Sequence, residues 1–156
     1  MKSALVIFNG IKFPYYLMEY ALAQAKENKA AMHLVFLRAR KENSESYGFP
    51  SDLEATEEKS AVEDDEKYNR EIIIHHMKLA NDMVASEGIT CKTELQTDCS
   101  IEEISHLMKN FDVVYIDADY DNENTSLLGN EKFSLSELIE EAPSKIKLVS
   151  EDGTVI

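Results

Sequence analysis

Three aspartates at alternate positions, Asp117, Asp119 and Asp121, follow the apolar run Val113-Val-Tyr-Ile116. Carboxylates so grouped suit a hard divalent cation such as Mg2+ or Ca2+. The same Asp-x-Asp-x-Asp pattern opens a calcium-binding loop, but that loop needs a glycine where Asn122 stands and a closing glutamate where Leu128 stands. A phosphoacceptor domain also gathers carboxylates at strand ends. It needs acidic residues after the first strand too, and Asn9-Gly10 supplies none. The aspartates therefore read as a solvated cluster, with Asp117, Asp119 and Asp121 as the candidate metal ligands.

Other chemistry does not assemble. There is no nucleophile elbow and no phosphate-cradling Walker loop. Cys91 and Cys99 form neither a metal motif nor a disulfide framework and read as reduced thiols. His75 and His76 are adjacent, whereas a helix presents a metal pair only at a spacing of three or four. The chain is expected not to be an enzyme.

The 156 residues carry a net charge of −14, which excludes a nucleic-acid backbone as partner because that needs clustered Lys and Arg. No apolar stretch reaches the roughly 20 residues of a membrane helix. No signal-peptide pattern opens the sequence, so a cytoplasmic protein is expected.

The elements that place these residues alternate. Ala4–Phe8, Met32–Leu37 and Val113–Ile116 are apolar runs that read as central parallel strands. Cys91–Gln96 and Ile146–Val149 alternate apolar with polar residues and read as edges, with Lys147 discouraging stray pairing. Phe13, Tyr16, Leu17, Tyr20, Ala21 and Ala25 form a helical stripe behind Pro14. A second helix is expected from about Glu63 to Ser86, ended by Gly88. Capping boxes at Ser100–Glu103 and Ser134–Glu137 start two more. Residues 40–62, rich in Glu, Ser and Asp, are expected to form a long acidic surface loop, with Tyr47-Gly-Phe-Pro50 as its anchor.

Strands alternating with helices imply a parallel sheet with right-handed crossovers. Placing the three apolar strands centrally gives the order 3-2-1-4-5. The expectation is one domain over residues 1–156: a three-layer α/β/α, Rossmann-like fold on a five-stranded open sheet. The chain direction reverses between strands one and four, and such a crevice is where ligands sit in open α/β sheets.

The ordered set of segments resembles the universal stress protein family. Asn9-Gly-Ile11 stands where that family has Asp-Gly-Ser after strand one. Leu17-Met-Glu-Tyr-Ala-Leu matches its first helix, and the Glu87-Gly-Ile strand and Ala142-Pro143 also fit. The resemblance implies an adenine-nucleotide site at Asn9, Gly10, Leu37, Ile116, Asp117 and Gly129 if a nucleotide binds. ATP-binding members carry a glycine-rich signature after strand four, because glycines let backbone N–H groups close around phosphates. Here Asp117 and Tyr120 occupy its first two glycine positions, and Asn130 follows Gly129. Like charges 4 Å apart near a surface repel by roughly 4 kcal/mol, so phosphates would avoid the aspartates unless a cation intervened.

The expected function is therefore a universal stress-like regulatory protein that binds no ATP or other cofactor. It would act as a homodimer, paired through Ile146–Val149, and through protein contacts. The alternative is a nucleotide-binding switch or weak ATPase using ATP with Mg2+ in a non-standard loop.

Overall fold

The computed structural model describes residues 2–9, 12–38, 53–97, 99–118, 135–141 and 145–156, with side chains at all of these except 53–69, 135–136 and 141. Five strands form one sheet: β1 (Ser3–Asn9), β2 (Ala31–Arg38), β3 (Cys91–Thr97), β4 (Val113–Asp117) and β5 (Ile146–Val149). Every pairing between them is parallel, and the order is β3-β2-β1-β4-β5. The order expected from strand hydrophobicity is the one found. β1, β2 and β4 are buried almost throughout, whereas β3 and β5 keep exposed or half-exposed positions.

Alternation along each strand divides the core in two. Ala4, Val6, Phe8, Leu34, Phe36 and Tyr115 face one side of the sheet. There α1 (Tyr15–Asn28) buries Leu17, Met18, Ala21 and Ala25, and α2 (Leu53–Ser86) buries Ile73, Ala80 and Val84. Leu5, Ile7, Val35, Leu37, Val114 and Ile116 face the other side. α3 (Ile101–Met108) covers them with Ile104 and Met108, and α4 (Leu135–Glu141) with Leu138. Each fully buried Val, Leu, Ile, Phe or Met side chain among them is worth about 1.5–3 kcal/mol over its exposed form.

Local signals explain the helix ends. Pro14 caps α1, and Lys29 closes it in the left-handed conformation at φ 54°. The Ser100 hydroxyl accepts a hydrogen bond from the Glu103 N–H at the start of α3. Gly88, at φ 73°, takes the left-handed turn after α2. Ser134, of the second capping box, lies outside the described residues.

α2 corrects one expectation. It begins at Leu53, ten residues before Glu63, so the last ten residues of the expected loop are helix. The acidic composition suggested a loop, but Leu53-Glu-Ala-Thr-Glu-Glu-Lys59 holds no Gly or Pro, and Ala, Glu and Lys are strong helix formers. The rest of the expected loop up to Asp52, with Tyr47 to Pro50, lies outside the described residues.

The chain after β5 turns back on it. Ser150 N–H donates to the Thr154 carbonyl at 2.8 Å, and Leu148 and Ile156 exchange hydrogen bonds of 3.2 and 3.0 Å. Val149 and Val155 pair antiparallel between them. Gly153, at φ 89°, and the Asp152 carboxylate, which accepts from the Thr154 N–H at 2.9 Å, shape the turn. The outer edge of β5 is thus already paired by its own chain.

Candidate functional site

The crevice opens at the C-terminal ends of β1 and β4, as the reversal between them requires. Of the expected contact residues, Gly10, Asp119, Asp121 and Gly129 lie outside the described residues. The other four separate onto two faces. In β4, Asp117 follows Tyr115 by two and shares the face covered by α1. Asn9 follows Ile7 by two and shares the opposite face with Leu37 and Ile116. Leu37 and Ile116 are wholly buried, so only their backbone is available to a ligand.

Asp117 is 7% exposed, and α1 holds it. The Tyr16 hydroxyl donates a hydrogen bond to its Oδ1. The Lys12 ammonium lies 3.9 Å from Oδ2. Together they supply a hydrogen-bond donor and an opposite charge to a nearly buried carboxylate. Lys12 precedes Pro14, and Tyr16 sits in the first turn of α1. The start of the helix is therefore tied to the mouth of the crevice.

Asn9 is different. Its side chain is half-buried, and its Oδ1 is sealed from solvent without a hydrogen-bond partner among the described residues. An amide oxygen left so costs about 1–3 kcal/mol.

Behind the mouth, rings fill the α1 and α2 face. Phe8 stacks on Phe36 with centroids 4.6 Å apart and on Phe13 at 5.2 Å. His76 of α2 stacks on the far side of Phe13 at 5.2 Å, and Tyr15 meets Phe13 edge-on. Burial, helped by repulsion from His75, lowers the pKa of His76. Sequence periodicity placed Phe13 and His76 on buried stripes, but not in one stack.

The remaining titratable candidates are structural. His33 lies 3.0 Å from the Glu94 carboxylate across β2 and β3, with Phe111 edge-on to its ring. His106 is exposed, as expected from its place off the α3 stripe. Burial pushes the Cys91 thiol up to about 11, and Cys99 is buried. Among the described residues, no three His, Cys, Asp or Glu side chains gather as a metal site would require. No helix among them is long and apolar enough to cross a membrane.

An open five-stranded parallel sheet in this order, crevice at its reversal point, defines the nucleotide-binding-like class of three-layer α/β proteins. Within that class the fold is that of the universal stress proteins. The chain aligns with the universal stress protein UspA from Lactobacillus plantarum at a TM-score of 0.63 and 14% identity, over 96% of each chain. It aligns with a universal stress protein family protein from Arabidopsis thaliana, solved with AMP bound, at 0.57 and 13%, over 96% of this chain and 92% of that one. A universal stress protein in complex with cAMP gives 0.54 and 14%, over 95% and 96%. No protein-family model and no curated protein sequence matches the chain.

Proposed function

We propose that this chain is a diverged universal stress protein that works without ATP and without catalysis, as a cytoplasmic regulatory protein acting through a homodimer and other protein contacts. The observation that carries this reading is the tie between Asp117, Tyr16 and Lys12. Asp117 occupies the first position of the expected phosphate loop, where a glycine would offer its N–H groups. Instead it brings a carboxylate, which Tyr16 of α1 and Lys12 just before the helix already engage. A phosphate entering here meets a carboxylate rather than a cradle.

The dimer rests on the edge beyond β5. Val149 and Val155 face each other between hydrogen-bonded pairs, so the N–H and C=O of Val155 point away from β5. A second copy would pair with that outer edge and not with Ile146–Val149 directly. Ile156, 78% exposed, would be covered in such a pair. Sedimentation showing a monomer at high concentration would remove this half of the proposal.

A second reading is favoured by Asn9, whose sealed Oδ1 has no donor among the described residues. The exocyclic amine of an adenine would supply one, and the AMP-bound and cAMP-bound neighbours share the fold. In that reading the chain is a nucleotide switch. Thermal melting with ATP-Mg2+, ADP, AMP and cAMP separates the two. Ligand at 100 times its Kd stabilises by about 2.7 kcal/mol, so binding must raise the melting temperature with concentration. The first reading expects no rise into the millimolar range. A rise that Asn9→Ala removes would establish the switch instead. Metal alone at Asp117, Asp119 and Asp121 would raise the melting temperature without nucleotide, and Asp119→Asn would cancel it.

A further inference from the structure

At the opposite end of the sheet, a cavity of about 380 Å³ opens beneath the C-terminal end of α1. Its volume lies within the roughly 300–1,000 Å³ of small-molecule sites. Its origin is legible in residue size. Ala4 of β1, Ala25 of α1 and Ala30 after it line the space, and all three are buried. Alanine there leaves a gap between α1 and the sheet that a larger side chain would fill.

Two further observations make the gap more than loose packing. The first is Tyr115, which lines the cavity and is 3% exposed. Its ring rests edge-on against Tyr20, and its hydroxyl is not sealed from solvent. Burial, with a smaller contribution from Tyr20, raises its pKa, so the group stays a neutral donor. A hydroxyl on a cavity wall that is open to solvent is free to donate to a ligand seated there.

The second is charge. Lys147 stands beside Tyr115 in register on β5, and Lys2 precedes β1; both line the cavity and both are exposed at its mouth. The one carboxylate there, Asp112, accepts the Ser3 N–H at 3.0 Å through Oδ2. The mouth therefore carries one net positive charge on a chain whose total is −14. The Gln24 and Asn28 amides complete the rim.

We propose that this cavity is a binding site for a small monocarboxylate with an apolar body, the carboxylate meeting Lys147 and the Tyr115 hydroxyl and the body lying on the alanines. A dianionic phosphate fits less well, because Asp112 stands beside the lysines. The site is separate from the crevice and does not depend on whether a nucleotide binds there.

Benzoate is a suitable probe, with benzamide as its neutral counterpart of the same shape. In a titration followed by amide NMR, benzoate is expected to shift Ala4, Ala25, Asn28 and Val113 saturably, with a Kd in the millimolar range, and benzamide is not. Lys147→Glu alters an exposed side chain and should leave the spectrum dispersed while weakening benzoate about tenfold or more. Tyr115→Phe removes only the hydroxyl and should weaken it about tenfold, the effect of one hydrogen bond to a charged group. No saturable shift into the tens of millimolar overturns the proposal. So does equal binding of benzamide, or a response confined to the crevice around Asn9 and Asp117. Unchanged affinity in Lys147→Glu overturns the assigned role of the mouth.

Discussion

The two ends of the α1 face are built from opposite materials. At the crevice end, Phe8, Phe13, Phe36 and His76 stack without a break, and Tyr16 ties α1 to Asp117. At the other end the same helix and the same strands meet through alanines and leave about 380 Å³ open. Backbone topology is common to both ends, so it does not decide where this protein has room. Side-chain volume does. Among the described residues, the crevice end of this face is furnished with rings and the opposite end with alanines.

This contrast can be broken most forcefully at Phe36. It is 1% exposed and stacks on Phe8 with centroids 4.6 Å apart. Phe36→Ala should cost about 3–5 kcal/mol in urea unfolding, because a cavity opens in a close-packed region. A loss under about 1 kcal/mol would mean that the rings there are not close-packed. Tyr16→Phe tests the tie itself. It keeps the ring and removes the donor to a carboxylate that is 7% exposed, so about 1.5–3 kcal/mol should be lost at neutral pH. An unchanged midpoint would show that Lys12 and water suffice for Asp117.

The smallest effect is a pH dependence from His76. Its folded pKa is lowered from the ordinary 6.5, first by burial and then by His75. Between the lowered value and 6.5 the unfolded chain binds more protons than the folded one. Stability from this group is therefore complete above pH 6.5 and is lost as pH falls through the folded value. His76→Phe, which preserves a ring against Phe13, should flatten the slope of stability against pH in that window. An identical slope in the variant would assign the dependence to other groups.

The sequence was most readable where one residue type implies one environment. The uninterrupted apolar character of β1, β2 and β4 placed them centrally, and Lys147 and the alternation in Cys91–Gln96 placed the edges. The Ser100 cap and the exposed His106 followed from spacing alone. The start of α2 was misjudged because acidity was weighed above helix propensity, although no Gly or Pro interrupts Leu53 onward. The tie of Tyr16 to Asp117 spans 101 residues and leaves no local trace. The division of Asn9 from Asp117 onto opposite faces needed register, which strand composition does not encode. The turn after β5 had a local signal in Asp152-Gly153, a common hairpin pair that strand assignment alone passes over.

That turn also bears on the order in which the sheet forms. Each parallel pairing waits for a crossover to be made, and such non-local pairing is slow. The return of Thr154–Ile156 on β5 spans only a few residues, and a hairpin of this kind closes in about 1–10 μs. β5 can therefore arrive at β4 as half of a formed ribbon rather than as a bare strand. β5 itself then docks with one of its edges already satisfied, leaving its other edge to pair with β4.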